Sequence, residues 1–281
     1  MKSMDFNECL SRQRGGTAMA GKTMVVTSGK GGVGKTTTVA NLGTVLAKRK
    51  YNVVMIDGDI GLRNLDVVMG LENRIVYNLV DIIEERCRIA QAMIRDRKLN
   101  NLCIIPAAQT REKDAVQPEQ MKKLCADLAE EFDYVIVDCP AGIERGFKNA
   151  IAGAQTAIVV TTPEVSAIRD ADRVIGLLEA NLLKDIHLII NRMNYKMVKK
   201  GDMMSTADIV SLLSVPLLGV VPESEEVVIS TNRGTPLVHE RGSRAGQAFR
   251  KIAARLNGES VPFDEDQGDG LLGRMKRFFR S

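Results

Sequence analysis

Between Met24 and Thr37 the chain reads MVVTSGKGGVGKTT, in which Gly29 to Thr36 match the spacing G-x-x-x-x-G-K-[ST]. That spacing makes a phosphate cradle. Gly29, Gly31, Gly32 and Gly34 permit positive φ, so successive N–H groups, that of Val33 included, can turn inward on an anion. A helix predicted to start at Lys35 adds the partial positive charge of its N-terminus. The Lys35 ammonium would neutralise β- and γ-phosphate oxygens, and Thr36, followed by Thr37, would place a hydroxyl on Mg2+. A second lysine, Lys30, sits near the start of the same loop. Carboxylates complete such a site. Asp57 and Asp59, in VVMIDGDIG, stand at i and i+2 on one side of an extended segment, able to face a common Mg2+ and water. Asp138 closes the apolar run YVIVD, and Cys139-Pro140-Ala141-Gly142 gives a tight loop at the γ-phosphate end. These groups suit phosphoryl transfer from ATP, a reaction whose catalysis is mostly positioning and charge stabilisation.

Such residues need a sheet to hold them in one row. Short apolar runs at Met24–Thr27, Val53–Ile56, Leu102–Ile105, Tyr134–Val137, Ala157–Thr161, His187–Ile190 and Leu217–Val221 alternate with longer segments of helical period. Most are apolar at consecutive positions, as strands covered on both faces are. The expected fold is α/β, a mostly parallel sheet with helices on both faces, of the P-loop NTPase type. Ser28, Asp57, Asp138 and Thr162 follow strand ends directly, and ligands of open α/β sheets bind outside the carboxyl ends of strands. These four positions are therefore expected to converge.

A second constellation lies at the extreme C-terminus. In LLGRMKRFFR the apolar residues Leu271, Leu272, Met275, Phe278 and Phe279 fall within an arc of roughly 120°, and Arg274, Lys276, Arg277 and Arg280 lie opposite. A helix this short folds mainly when its apolar face meets a surface, and each basic group near an anionic bilayer contributes about 1 kcal/mol. Docking of the same face onto the domain is the competing structural explanation. Residues 1–21 are expected to be a flexible leader, 22–258 the ATPase domain, 259–269 an acidic linker and 270–281 a membrane-targeting amphipathic helix.

The chain of 281 residues carries 39 basic and 35 acidic groups, and the four basic residues of the tail leave the first 269 residues balanced. A body without net charge argues against a general polyanion-binding surface. Five scattered cysteines, none in a C-x-x-C pair, argue against a disulfide framework and a zinc site and suit a reducing compartment. No apolar run is long enough for a spanning helix, and Asp5 and Glu8 interrupt what would be a signal core.

The loop in its K-G-G-x-G-K-T-T form resembles the deviant Walker A motif of the family that includes ParA, nitrogenase iron protein and MinD. Within it, DGDIGLRNLD (57–66), PAAQTR (106–111), DCPAGIE (138–144) and TPEVSAIRDAD (162–172) resemble the MinD signatures, over about residues 22–281. The resemblance implies an ATP-dependent sandwich homodimer in which Lys30 reaches the partner's nucleotide. It implies that Asp59 orients the attacking water while Asp57 and Asp138 hold Mg2+ through its waters. Asn191-Arg192 and Pro222-Glu223 lie where this family grips adenine, although Asn191 is equally suited to cap a turn. Ser166, Asp170 and Asp172 match a partner-binding helix, which as plain structure is a solvated face. Further implications are recruitment of a MinC-like division inhibitor, release by a MinE-like activator, slow hydrolysis, and a cytoplasmic protein peripheral on the inner membrane. The leader before Lys22 departs from the MinD pattern and leaves a chloroplast stroma and inner-envelope location open. A ParA-type DNA-partition ATPase is the alternative, disfavoured by the neutral body. No sequence-specific nucleic acid partner is expected.

Overall fold

The computed structural model describes residues 20–111 and 115–264. Most of the predicted leader and the whole predicted membrane helix, Leu271 to Arg280, lie outside the described residues. The strands are β1 Lys22–Thr27, β2 Val53–Asp57, β3 Ile94–Arg95, β4 Leu102–Ile105, β5 Tyr134–Asp138, β6 Thr156–Thr161, β7 Asp185–Met193 and β8 Leu217–Pro222. The helices are α1 Lys35–Lys48, α2 Leu65–Met69, α3 Leu79–Ile83, α4 Ile89–Ala92, α5 Pro118–Glu131, α6 Arg145–Ile151, α7 Val165–Ala180, α8 Tyr195–Lys200, α9 Thr206–Leu213, α10 Glu225–Asn232 and α11 Arg244–Leu256.

One sheet of order β3-β4-β2-β5-β1-β6-β7-β8 joins all eight strands. Every pairing is parallel except β3 with β4, which is antiparallel. Seven strands match the apolar runs with ends moved by up to three residues. The added edge strand β3 has two residues, too few to show any period. Alternation along the central strands divides the core in two. Val54 and Ile56 face α5 and α7 through Leu124, Leu128 and Val174, whereas Val53 and Met55 face α1 and α11 through Leu42, Leu46 and Phe249.

Helix α11 has buried Ala245, Ala248, Phe249, Ile252 and Leu256 on one stripe, the amphipathic pattern of a helix laid on a sheet. It crosses β8 so closely that a Cβ on Gly219 would stand 2.3 Å from the Ile252 side chain. The chain on either side of the domain is tied down further than expected. Gly21, assigned to the leader, donates its N–H to the Ala129 carbonyl at 2.7 Å, leaving no room for a side chain against Phe132. The first half of the acidic linker is held on the body and not simply solvated. Glu259 pairs with Arg49, Asp264 with Lys251, and the Arg255 guanidinium stacks 4.0 Å from the Phe263 ring centre. Asp264 thus returns to α11 itself, and Glu259 reaches the end of α1.

Candidate functional site

The four central strands, β2, β5, β1 and β6, are consecutive neighbours, so Asp57, Asp138, Ser28 and Thr162 stand in a row along one edge of the sheet. Asp57 and Asp138 are direct cross-strand partners, and Asp138 stands opposite Val26, two residues before Ser28. From β1 the chain enters the glycine loop. Gly32 and Gly34 have φ of 77° and 100°, conformations that side chains resist, and Gly34 opens α1 as its N-cap. Lys35 is buried and donates from Nζ to Ser28 Oγ at 2.9 Å, while that hydroxyl donates to the Lys30 carbonyl at 2.7 Å. Ser28 thus aims the lysine across the loop.

Two contacts hold the loop from outside. Asn191, at the carboxyl end of β7, donates from Nδ2 to the Val33 carbonyl at 2.7 Å, and its Oδ1 accepts from the Arg192 N–H. A Cβ on Gly34 would stand 2.3 Å from the same Nδ2. Here Asn191 clamps the loop, a use that neither the adenine nor the turn-cap reading anticipated. Glu223 lies beside it, accepting from Asn194 Nδ2 at 2.8 Å, and Pro222 pairs with Met193 across β7 and β8. Asn191, Arg192, Pro222 and Glu223 are therefore neighbours at two adjoining strand ends. The second contact is at Gly29, where any Cβ would collide with Asp170 of α7, its carbonyl oxygen only 2.2 Å away. The first glycine of the motif is required by helix packing as well as by the turn.

Lys30 rests on the start of that helix. Its Nζ lies 3.4 Å from Ser166 Oγ and 3.6 Å from Glu164 Oε2, all exposed, so this pairing is weak and readily exchanged. Ser166 and Asp170, four residues apart, share the face of α7 turned to the loop. Asp172 is exposed roughly 200° round the helix from Asp170. The three predicted partner residues do not form one stripe.

The carboxylates divide their work differently from the expectation. Strand β2 ends at Asp57, and Asp59 lies in the loop beyond it, so the two do not stand side by side on an extended segment. The chain turns because Asp57 Oδ1 accepts from the Asp59 N–H at 3.0 Å and Oδ2 from Asn64 and Leu65 at 3.0 and 3.1 Å. A carboxylate has about four acceptor sites, and three are spent on loop backbone. Asp138 keeps more in reserve: its Oδ1 is buried with no hydrogen-bond partner among the described residues. Burial raises the pKa of both groups. For Asp57 the backbone N–H bonds oppose the rise; for Asp138 the Asp57 charge adds to it, against the Thr36 hydroxyl and Lys35. A divalent cation with its water shell would answer this stored repulsion and the orphaned oxygen together. Among the described residues no group of three or more His, Cys, Asp or Glu side chains is disposed to ligate a metal directly. The donor set therefore fits Mg2+ carried by phosphates and the Thr36 hydroxyl, with carboxylates acting through water. Cys139 is a buried free thiol, its pKa pushed up to about 12 chiefly by burial.

Over residues 24–237 the chain matches the CobQ/CobB/MinD/ParA nucleotide binding domain. It is 54% identical over 263 residues to the septum site-determining protein MinD of Bacillus subtilis (strain 168), covering 92% of this chain and 98% of that relative. Of solved structures, MinD in the MinC:MinD cell division protein complex of Aquifex aeolicus superposes with a TM-score of 0.82. The identity is 45%, with 87% of this chain and 99% of that one covered. Septum site-determining MinD of Pyrococcus horikoshii, solved with Mg-ADP, superposes with a TM-score of 0.76 at 29% identity, covering 84% and 96%.

Proposed function

Because the chain belongs to the CobQ/CobB/MinD/ParA nucleotide-binding family, and within it to the septum site-determining MinD proteins, we propose that it is a Mg2+-dependent ATPase timing its own stay on a membrane. Phosphates would lie against the backbone of Gly29 to Thr37, with Lys35, aimed by Ser28, on the β- and γ-oxygens. When bound, Mg2+ supplies charge neutralisation at those oxygens, held by Thr36 and, through water, by Asp138 and the remaining site of Asp57. Asp59, on the loop that Asp57 pins, orients the attacking water. Adenine lies against Asn191, Arg192, Pro222 and Glu223. Lys30 exchanges its weak hold on Glu164 and Ser166 for the nucleotide of a second copy, so the lone subunit hydrolyses slowly.

In the ATP state two tails, each a weak anchor through Leu271, Leu272, Met275, Phe278 and Phe279 and the four basic residues, hold one dimer on an anionic surface together. The face of α7 at Ser166 and Asp170 takes a MinC-like inhibitor and a MinE-like activator. The protein is then peripheral on the cytoplasmic side of the inner membrane, or on the inner envelope if it serves a chloroplast. Among the described residues no helix is long and apolar enough to cross a membrane.

The observation carrying this reading is the aimed Lys35 facing a buried carboxylate with an unanswered oxygen. Light scattering with ATP and with ADP tests it. Asp59→Ala should accumulate as an ATP-bound dimer, and Lys30→Ala should bind nucleotide yet remain a monomer that hydrolyses no faster at higher concentration. A Lys30→Ala chain that dimerises and turns over like the parent contradicts the proposed role of a second copy.

A further inference from the structure

A cavity of about 670 Å3 opens on the α1/α11 side of the sheet, between α2, the turn Glu72–Arg74, the loop before β4 and the segment after α10. It lies toward the end opposite the phosphate loop. Asp96 to Lys98 lead into the amino end of β4, whereas the loop sits at the carboxyl ends of the strands. Helix α1, of 14 residues and about 20 Å, separates the two, with Lys35 at the nucleotide end and Lys48 at the other.

The cavity has a fixed wall. Gly70 and Gly234, with φ of 65° and 58°, approach so closely that a Cβ on either would come within 2.6 Å of the other's backbone. Around it stand Arg97, Lys98 and Arg233, and among the described residues none of the three has an ion-pair partner within 4.0 Å. Asn73, Asn232 and Thr231 add neutral donors. The acids in the lining are the exposed Glu72 and Asp96, whose Oδ1 is already committed to the Lys98 and Leu99 N–H groups at 2.8 Å. His239 completes the wall, its pKa lowered to about 4, first by burial and then by the charges of Lys48 and Lys98, with Asp96 opposing. The local field is therefore positive.

Other cations continue from the cavity toward the last described residues. Lys48 donates to the Val238 carbonyl, as does Arg250 of α11, and Arg49 pairs with Glu259, five residues before Asp264. Seventeen residues, including the basic amphipathic stretch, follow Asp264 in the sequence. We propose that the cavity binds a phosphate group, and that its source is the headgroup of an anionic lipid on the surface to which the tail attaches. The lipid part rests on the membrane reading above. The pocket would give the body a second grip, one that recognises headgroup chemistry where the tail recognises only charge and apolar depth.

His239 is one of two histidines, and His187, hydrogen-bonded to Asp185 on β7, is an internal reference. Imidazole resonances of the full chain would be followed by NMR against pH with inorganic phosphate, and separately with dihexanoyl phosphatidylglycerol below its micelle concentration. A bound anion favours the imidazolium, so the protonation constant of His239 should rise roughly tenfold with the lipid while His187 is unmoved. A response to inorganic phosphate alone overturns the lipid assignment, and no response to either overturns the pocket. As a second reading, Arg97→Ser, Lys98→Ser and Arg233→Ser combined should weaken binding of the full chain to phosphatidylglycerol vesicles by roughly a hundredfold, at about fivefold per cation. Basal ATP hydrolysis should be unchanged. Undiminished vesicle binding by that variant contradicts the pocket. A parent chain that binds no vesicles fails the membrane reading instead, which the soluble-lipid titration does not depend on.

Discussion

Lys35, Ser28 and Asp138 show how much of the site a motif can announce. The spacing from Gly29 to Thr36 identified the cradle and its lysine, because a loop that wraps an anion needs those residue types at those intervals. It was silent on Asn191, whose amide holds the Val33 carbonyl from 158 residues away. Nothing local in the sequence distinguishes a clamp from a cap. Lys35→Ala should abolish nucleotide binding by isothermal titration while leaving the fold intact, because the lysine's buried partner is a neutral hydroxyl. Asp138 carries a second expectation. Its native pKa lies above its unfolded value, so the native state holds the extra proton and stability falls as pH rises through the native value. His239, depressed below 6.5, acts with opposite sign, adding stability as pH rises to that value and none beyond it. From about pH 6.5 to about pH 8 the nucleotide-free protein should therefore lose melting temperature, less so with Mg2+ present, and Asp138→Asn should flatten the slope. An equal slope in the variant assigns it elsewhere.

At the scale of elements, the strands were legible because burial on both faces writes consecutive apolar residues, as in VVMID and YVIVD. The row of strand-end groups followed from the same rule. The turn after β2 was not legible. Read as extended, Asp57-Gly-Asp59 puts two carboxylates on one face; the chain instead spends Asp57 on three backbone N–H groups and so organises the loop into α2. A carboxylate's choice between metal and backbone depends on loop closure, which period and propensity do not record. Asp57→Ala should therefore act first on the loop. Exchange of the Asn64 and Leu65 amides should accelerate, with a loss of stability of roughly 1.5–3 kcal/mol in chemical denaturation: each N–H bond to a charged acceptor is worth about that much, and release from burying the carboxylate offsets part of the three lost. Unchanged protection of those two amides would show that the loop is held by other contacts. Likewise, the collision between Gly29 and Asp170 couples the first loop glycine to the helix bearing Ser166.

For the whole molecule, the sequence offers two chemistries at opposite ends of the chain, and the described residues after α11 run back beside the far end of α1. Helix α1 runs from Lys35 to Lys48, and beside its far end lie Arg49 and its partner Glu259. Asp264, bound to Lys251, marks the last described point before the basic stretch. The net charge of +4 would suggest a mildly basic body, but it resides in the final twelve residues, which is the ground on which a surface contact by the tail is proposed. Attachment and nucleotide state should then be one switch, because a single anchor is weak and a dimer carries two. The decisive measurement is co-sedimentation with anionic-lipid vesicles in ATP or in ADP, for the full chain and for a chain ending before Gly270. Pelleting that requires both ATP and residues 270–281 is the predicted result; pelleting of the shortened chain, or equal pelleting in ADP, would contradict a switch that works through dimerisation and the tail.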